Sequence, residues 1–199
     1  MSRTAKQIII LGFNGTGKTT LTRKFVERAL KSNERVLVVT PDYAEWLELQ
    51  ETMLQKPADF DFTGARRYVW SDDPLAIQKI RDYFFNGLLV FDDCRSYLSG
   101  NTDIALKGLY LRRRQKMIDI VMCGHGFTDV PLQAFTNCSE FILFMTKDNI
   151  ARRKSAIQDY DLVKDAQTRV NLRANDRRKG WVDPKDIDQN IHYYEIVKP

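Results

Sequence analysis

Apolar residues along the chain fall into short blocks of two kinds. Gln7–Leu11, Arg35–Thr40, Leu88–Phe91, Ile118–Cys123 and Phe141–Met145 are runs of four to six residues with little polar alternation. That pattern predicts strands buried on both faces of a parallel sheet. Between the first two, Leu21, Phe25, Val26, Ala29 and Leu30 recur at helical spacing, which predicts an amphipathic helix over 18–31. Further helices are predicted over Ala44–Leu54, over Leu75, Ile77, Ile80 and Phe84 after a start at Asp72 or Asp73 before Pro74, and over 102–116 with Asn101 or Thr102 as cap. Val130–Phe135 reads as a short helix and 150–178 as mainly helical. Tyr68–Trp70 and His192–Val197 read as short strands.

Strands alternating with helices predict an α/β three-layer sandwich, with a mostly parallel sheet and helices on both faces. A chain of 199 residues suits one domain. We divide it into a core over 1–149 and a basic helical extension of the same domain over 150–199.

One turn changes the picture. Gly12-Phe13-Asn14-Gly15-Thr16-Gly17-Lys18-Thr19 fits G-x-x-x-x-G-K-[ST] without a mismatch, between a predicted strand and a predicted helix. The glycines let the backbone curl so that successive N–H groups point inward at phosphate oxygens, and the helix turns its positive end to the same place. Lys18 reaches the β- and γ-phosphates as a point charge, and the Thr19 hydroxyl ligates Mg2+. We assign the nucleotide, ATP, to Gly12, Asn14, Gly15, Thr16, Gly17, Lys18, Thr19 and Thr20.

Leu88–Phe91 runs into Asp92-Asp93. In a parallel sheet the carboxyl ends of strands face the ligand crevice. This assigns Asp92, with Thr19, to the metal and Asp93 to activation of the attacking water.

These residues resemble the additional-strand P-loop ATPases and, within them, the FtsK–HerA superfamily. That group holds DNA-pumping motors, viral genome-packaging ATPases and zonula-occludens-toxin-like phage assembly proteins. The resemblance spans roughly residues 7–146 and rests on three further features. Strand two ends in Thr40-Pro41-Asp42. The cluster Arg112-Arg113-Arg114 precedes the fourth strand, where the family places an arginine that acts across a subunit interface; Arg113 is our preferred candidate. The fourth strand runs into Cys123-Gly124-His125-Gly126, so His125 stands where the family has a γ-phosphate-sensing glutamine. The resemblance implies an oligomeric ring, with a hexamer as the model.

Charge adds a partner. The chain carries 31 Lys/Arg against 26 Asp/Glu, and residues 152–179 alone hold nine Lys/Arg against four Asp/Glu. The Arg and Lys of 150–179, with Tyr160 and Trp181, suit contact with DNA or another nucleic acid, or a solvated helix face. No apolar run approaches the length of a membrane span, and the odd cysteines, Cys94, Cys123 and Cys138, lack metal-ligand spacing. We read a cytoplasmic protein with reduced thiols.

The resulting expectation is a Mg2+-dependent ATPase that translocates or packages nucleic acid. The alternatives are a small nucleotide kinase, with the arginine-rich stretch 152–178 as a lid, and a nucleotide-dependent assembly or switch protein.

Overall fold

The computed structural model describes residues 5–73, 75–98, 103–177 and 191–199. Its strands are β1 (Gln7–Leu11), β2 (Arg35–Thr40), β3 (Gln50–Glu51), β4 (Ala65–Val69), β5 (Gly87–Phe91), β6 (Ile118–Gly124), β7 (Glu140–Leu143) and β8 (Glu195–Val197). They form one sheet in the order β3-β4-β2-β5-β6-β1-β7-β8. All neighbours are parallel except β8, which runs antiparallel to β7 with Ile142 opposite Ile196. Thus β6 lies between β1, which leads into the phosphate loop, and β5, which leads into Asp92.

Side chains of the central strands alternate between two cores, because successive residues point to opposite faces. On one face Ile9, Leu37, Leu89 and Ile120 pack under α2 (Ala76–Tyr83), α3 (Asp103–Arg112), α4 (Leu132–Thr136) and α5 (Tyr160–Arg177). On the other face Ile8, Ile10, Val38, Val90 and Val121 pack under α1 (Lys18–Lys31), with Trp46 and Ile191 completing the cover. Helices do lie on both faces, but four to one.

Three predicted elements differ. No helix spans Ala44–Leu54. Trp46 and Leu54 take positive φ of 60° and 50°, and the guanidinium of Arg67 in β4 donates to the carbonyls of Tyr43 and Glu45 at 2.9 and 2.8 Å, which a helix would need for itself. The segment is two successive turns followed by β3. The strand predicted at Tyr68–Trp70 starts earlier, because Ala65, Arg66 and Arg67 pair with β2 despite their polarity. The helix predicted over 150–178 is a 3-10 turn, Ile150–Arg153, and then α5, with Asp159 at φ 50° between them. Pro74 and the caps Asn101 and Thr102 fall outside the described residues.

α5 docks through Val163, Ala166 and Val170, all fully buried, and β8 extends the sheet. The described residues after 149 therefore share the core's packing. Among the described residues no helix is long and apolar enough to cross a membrane.

Candidate functional site: a phosphate loop facing two aspartates

Because β1, β2, β5 and β6 are parallel, their carboxyl ends open on one side. There a cavity of about 660 Å³ is lined by loop residues 14, 15 and 17–20, by Thr40, Pro41, Asp42 and Glu45, by Asp92 and Asp93, and by Gly124 and His125. The loop is held from both sides: the Gly12 N–H donates to the Gly124 carbonyl at 3.1 Å and the Phe13 N–H to the Met145 carbonyl at 3.1 Å. Gly15 and Gly17 have φ of 76° and 93°, a region that side chains with a β-carbon rarely enter. Gly17 caps α1 without a side-chain acceptor, so the amides of the first turn are left for a ligand.

Lys18 folds back over this loop. Its ammonium donates to the Gly12 and Phe13 carbonyls at 2.7 and 2.9 Å. Burial lowers its pKa, opposed by the carboxylates of Asp92 and Asp93 across the cavity. Only 7% of Asp92 is exposed. Burial raises its pKa, while the indole N–H of Trp46, donating to Oδ2 at 2.7 Å, opposes the shift. Asp93 sits at φ 47° with its Oδ1 3.4 Å from Nε2 of His125. The His125 N–H donates to Asp129 Oδ2 at 3.1 Å, which fixes the turn that carries the imidazole into the cavity.

The donor set fits one kind of metal. Among the described residues no group of three His, Cys, Asp or Glu could hold an ion alone. The Thr19 hydroxyl and the Asp92 carboxylate line the same cavity and are both oxygen donors. Mg2+ uses one or two such ligands and completes its shell with waters and phosphate oxygens.

This fold has counterparts among solved proteins. No protein-family model matches the chain, and no curated protein matches it. The genome packaging NTPase B204 from Sulfolobus turreted icosahedral virus 2, in complex with ATP-gammaS, superposes with a TM-score of 0.61 at 14% identity, over 84% of this chain and 86% of that one. Its AMPPCP complex gives 0.61 at 13% identity, over 98% of each chain. B204, the DNA-packaging ATPase from Sulfolobus turreted icosahedral virus, gives 0.58 at 14% identity, over 99% and 98%. The chain has the B204 fold.

Within this B204-like fold Asn14, Gly15, Gly17, Lys18, Thr19, Thr20, Asp92, Asp93 and His125 come together in one cavity, while Gly12 and Thr16 are buried behind it. Arg113 does not, and the preference for it is corrected. It is 6% exposed and donates to the carbonyls of Tyr110 and Asn137 at 2.8 and 3.3 Å. Its own carbonyl accepts from the Ile118 N–H, at the opposite end of β6 from the cavity. That burial and those two bonds argue against a role for Arg113 in a neighbouring subunit. Arg112 and Arg114 on either side are exposed.

The basic extension is also partly internal. Arg153 donates to the carbonyls of Phe127, Thr128 and Val130. Arg169 pairs with Glu195, with the shortest contact 2.6 Å, and Arg173 lies 4.4 Å from the Tyr193 ring centre. Arg152 and Lys164 are exposed; Arg178, Lys179 and Trp181 lie outside the described residues.

Sequence reasoning missed Trp46 and Glu45, which were assigned to a helix. Nothing local in A-E-W-L-E-L marks a residue that reaches Asp92; the contact exists only once β5 lies beside the turn.

Proposed function

We propose that the chain is a Mg2+-dependent ATPase that works as a homo-oligomeric nucleic-acid translocase or genome-packaging motor. One observation carries this reading: Lys18 and Thr19 on one side of a single cavity face Asp92 and Asp93 on the other. With β6 interposed, β1 and β5 lie two strand spacings apart, about 10 Å. That leaves room for a phosphate chain and an ion. The likeness to B204, whose structures hold ATP-gammaS and AMPPCP, adds support at the level of the fold.

The chain's residues would divide the work as follows. The amides of the loop and of the first turn of α1 hold the β- and γ-phosphates, and Lys18 turns from the loop carbonyls towards the γ-phosphate. Thr19 and Asp92 hold Mg2+, which when bound neutralises charge growing on the phosphate oxygens. Asp93 orients a water for attack on the γ-phosphorus and takes its proton, while the bond from that phosphorus to the bridging oxygen breaks and ADP leaves with the electron pair. His125, in contact with Asp93, senses whether the γ-phosphate is present. An exposed arginine, Arg112 or Arg114, completes the site of a neighbouring copy.

The docked α5, with Arg153 and Arg169 engaged by the chain itself, disfavours the kinase alternative, which needs that stretch as a mobile lid. ATP turnover and sedimentation, with and without single- and double-stranded DNA, test the proposal. DNA-accelerated hydrolysis by a closed oligomer is expected, and Lys18→Ala should abolish ATP binding. Phosphate transfer to a nucleoside monophosphate would replace the motor by a kinase. Slow turnover indifferent to DNA would favour a switch.

A further inference from the structure

The Trp46 side chain beside the cavity is almost fully buried, 1% exposed. It is held in a backbone conformation, φ 60°, that a bulky residue adopts only when its surroundings impose it. Those surroundings are specific. The Arg67 guanidinium ties down the carbonyls of Tyr43 and Glu45 just before it. Arg23 lies over the indole, 4.4 Å from the ring centre, and is itself gripped by Glu45 and Glu48. The indole N–H then donates to Oδ2 of Asp92 at 2.7 Å.

Two of these residues connect the halves of the metal site. Arg23 lies one helical turn beyond Thr19 on α1, and Asp92 directly follows the strand β5. The indole is therefore a strut between the element that offers the hydroxyl and the element that offers the carboxylate. A carboxylate with one oxygen tied to a rigid donor cannot rotate freely, so its other oxygen is presented in one direction. A ligand to a small ion with strict geometry gains most from such fixing.

We infer that Trp46 is a positioning residue, which orients the Asp92 carboxylate for Mg2+ and links that orientation to α1. This rests on the proposed assignment of Asp92 to the metal. Trp46→Phe keeps an aromatic ring under Arg23 but removes the N–H. Losing a hydrogen bond to a charged group should raise the Mg2+ concentration for half-maximal turnover about tenfold. ADP affinity in EDTA, which depends on the phosphate loop alone, should stay within about twofold. An unchanged Mg2+ requirement overturns the inference.

A second measurement leaves the strut intact, in case Trp46→Phe fails to fold. With Trp70 and Trp181 replaced by Phe, emission comes from Trp46 alone. It should respond when Mg2+ is added to the protein already saturated with ADP, and a spectrum indifferent to Mg2+ overturns the inference. If the parent binds ADP and ATP with no Mg2+ dependence at all, the assignment of Asp92 to the metal fails instead.

Discussion

Gly12→Ala isolates how tightly the phosphate loop is pressed into the sheet. A β-carbon at position 12 would lie 2.5 Å from Cβ of Phe144 and 2.8 Å from the Thr16 hydroxyl. Ordinary contact starts at 3.4 Å, so something must retreat by about 1 Å. Phe144 has nowhere cheap to go, being fully buried with its ring centre 5.2 Å from that of Tyr194. Overpacking of this kind costs about 1–3 kcal/mol. Displacing Thr16 also disturbs its 2.8 Å bond to the Phe13 carbonyl, worth about 1 kcal/mol. The total of about 3 kcal/mol lowers the melting temperature by about 6–12 °C for a chain of this size. Gly15→Ala is the matched control. Nothing lies within 4 Å of its added carbon, but φ is 76°, so only backbone strain of about 1 kcal/mol, or about 2–4 °C, is expected. Thermal melting of the ligand-free proteins and ADP titration calorimetry read both effects, with ADP affinity falling further in Gly12→Ala. Equal melting of Gly12→Ala and the parent, or a larger loss in Gly15→Ala, would refute the reasoning.

Burial holds the Asp92 carboxyl above the usual carboxylate range. A carboxyl raised by folding favours the fold below its unfolded pKa, and the advantage is lost as pH rises through the folded value. Ligand-free Asp92→Asn should therefore melt higher than the parent at neutral pH, with the gap closing in acid, and a lower melting temperature at neutral pH contradicts this. Arg113→Ala should cost about 3 kcal/mol in urea unfolding through its lost bonds to two carbonyls. Its ATP turnover per folded molecule should equal the parent's; turnover that is lost and then restored by mixing with Lys18→Ala subunits would revive a trans role. Burial pushes the thiols of Cys94 and Cys123 up and that of Cys138 to about 12. At pH 8 a thiol reagent should label the native protein slowly and the denatured protein three times; fast native labelling would contradict that burial.

The β1–loop–α1 unit was legible because both its signals are local: an unbroken apolar run and a glycine spacing set by phosphate geometry. Leu88–Asp93 was legible for the same reason, and the parallel topology then put its carboxylates beside the loop. What could not be read depends on partners distant in the chain. Arg67 unmakes the helix predicted around Trp46 from a strand more than twenty residues later. Arg113 looks like its neighbours in a run of three arginines, yet it turns inward because the carbonyls of Tyr110 and Asn137 converge on it. Arg66 and Arg67 hid the start of β4, since a strand near the sheet margin tolerates polar side chains that a central one does not.

The two margins of the sheet have a consequence for self-association. At one margin β3 offers only Gln50 and Glu51, both exposed. At the other, three-residue β8 reverses the strand direction. Neither is long enough to template the backbone of another copy, the usual route to open-ended ribbons. In the proposed oligomer, copies would meet through side chains on helices and loops, contacts that can be made and broken a few at a time without unzipping a strand.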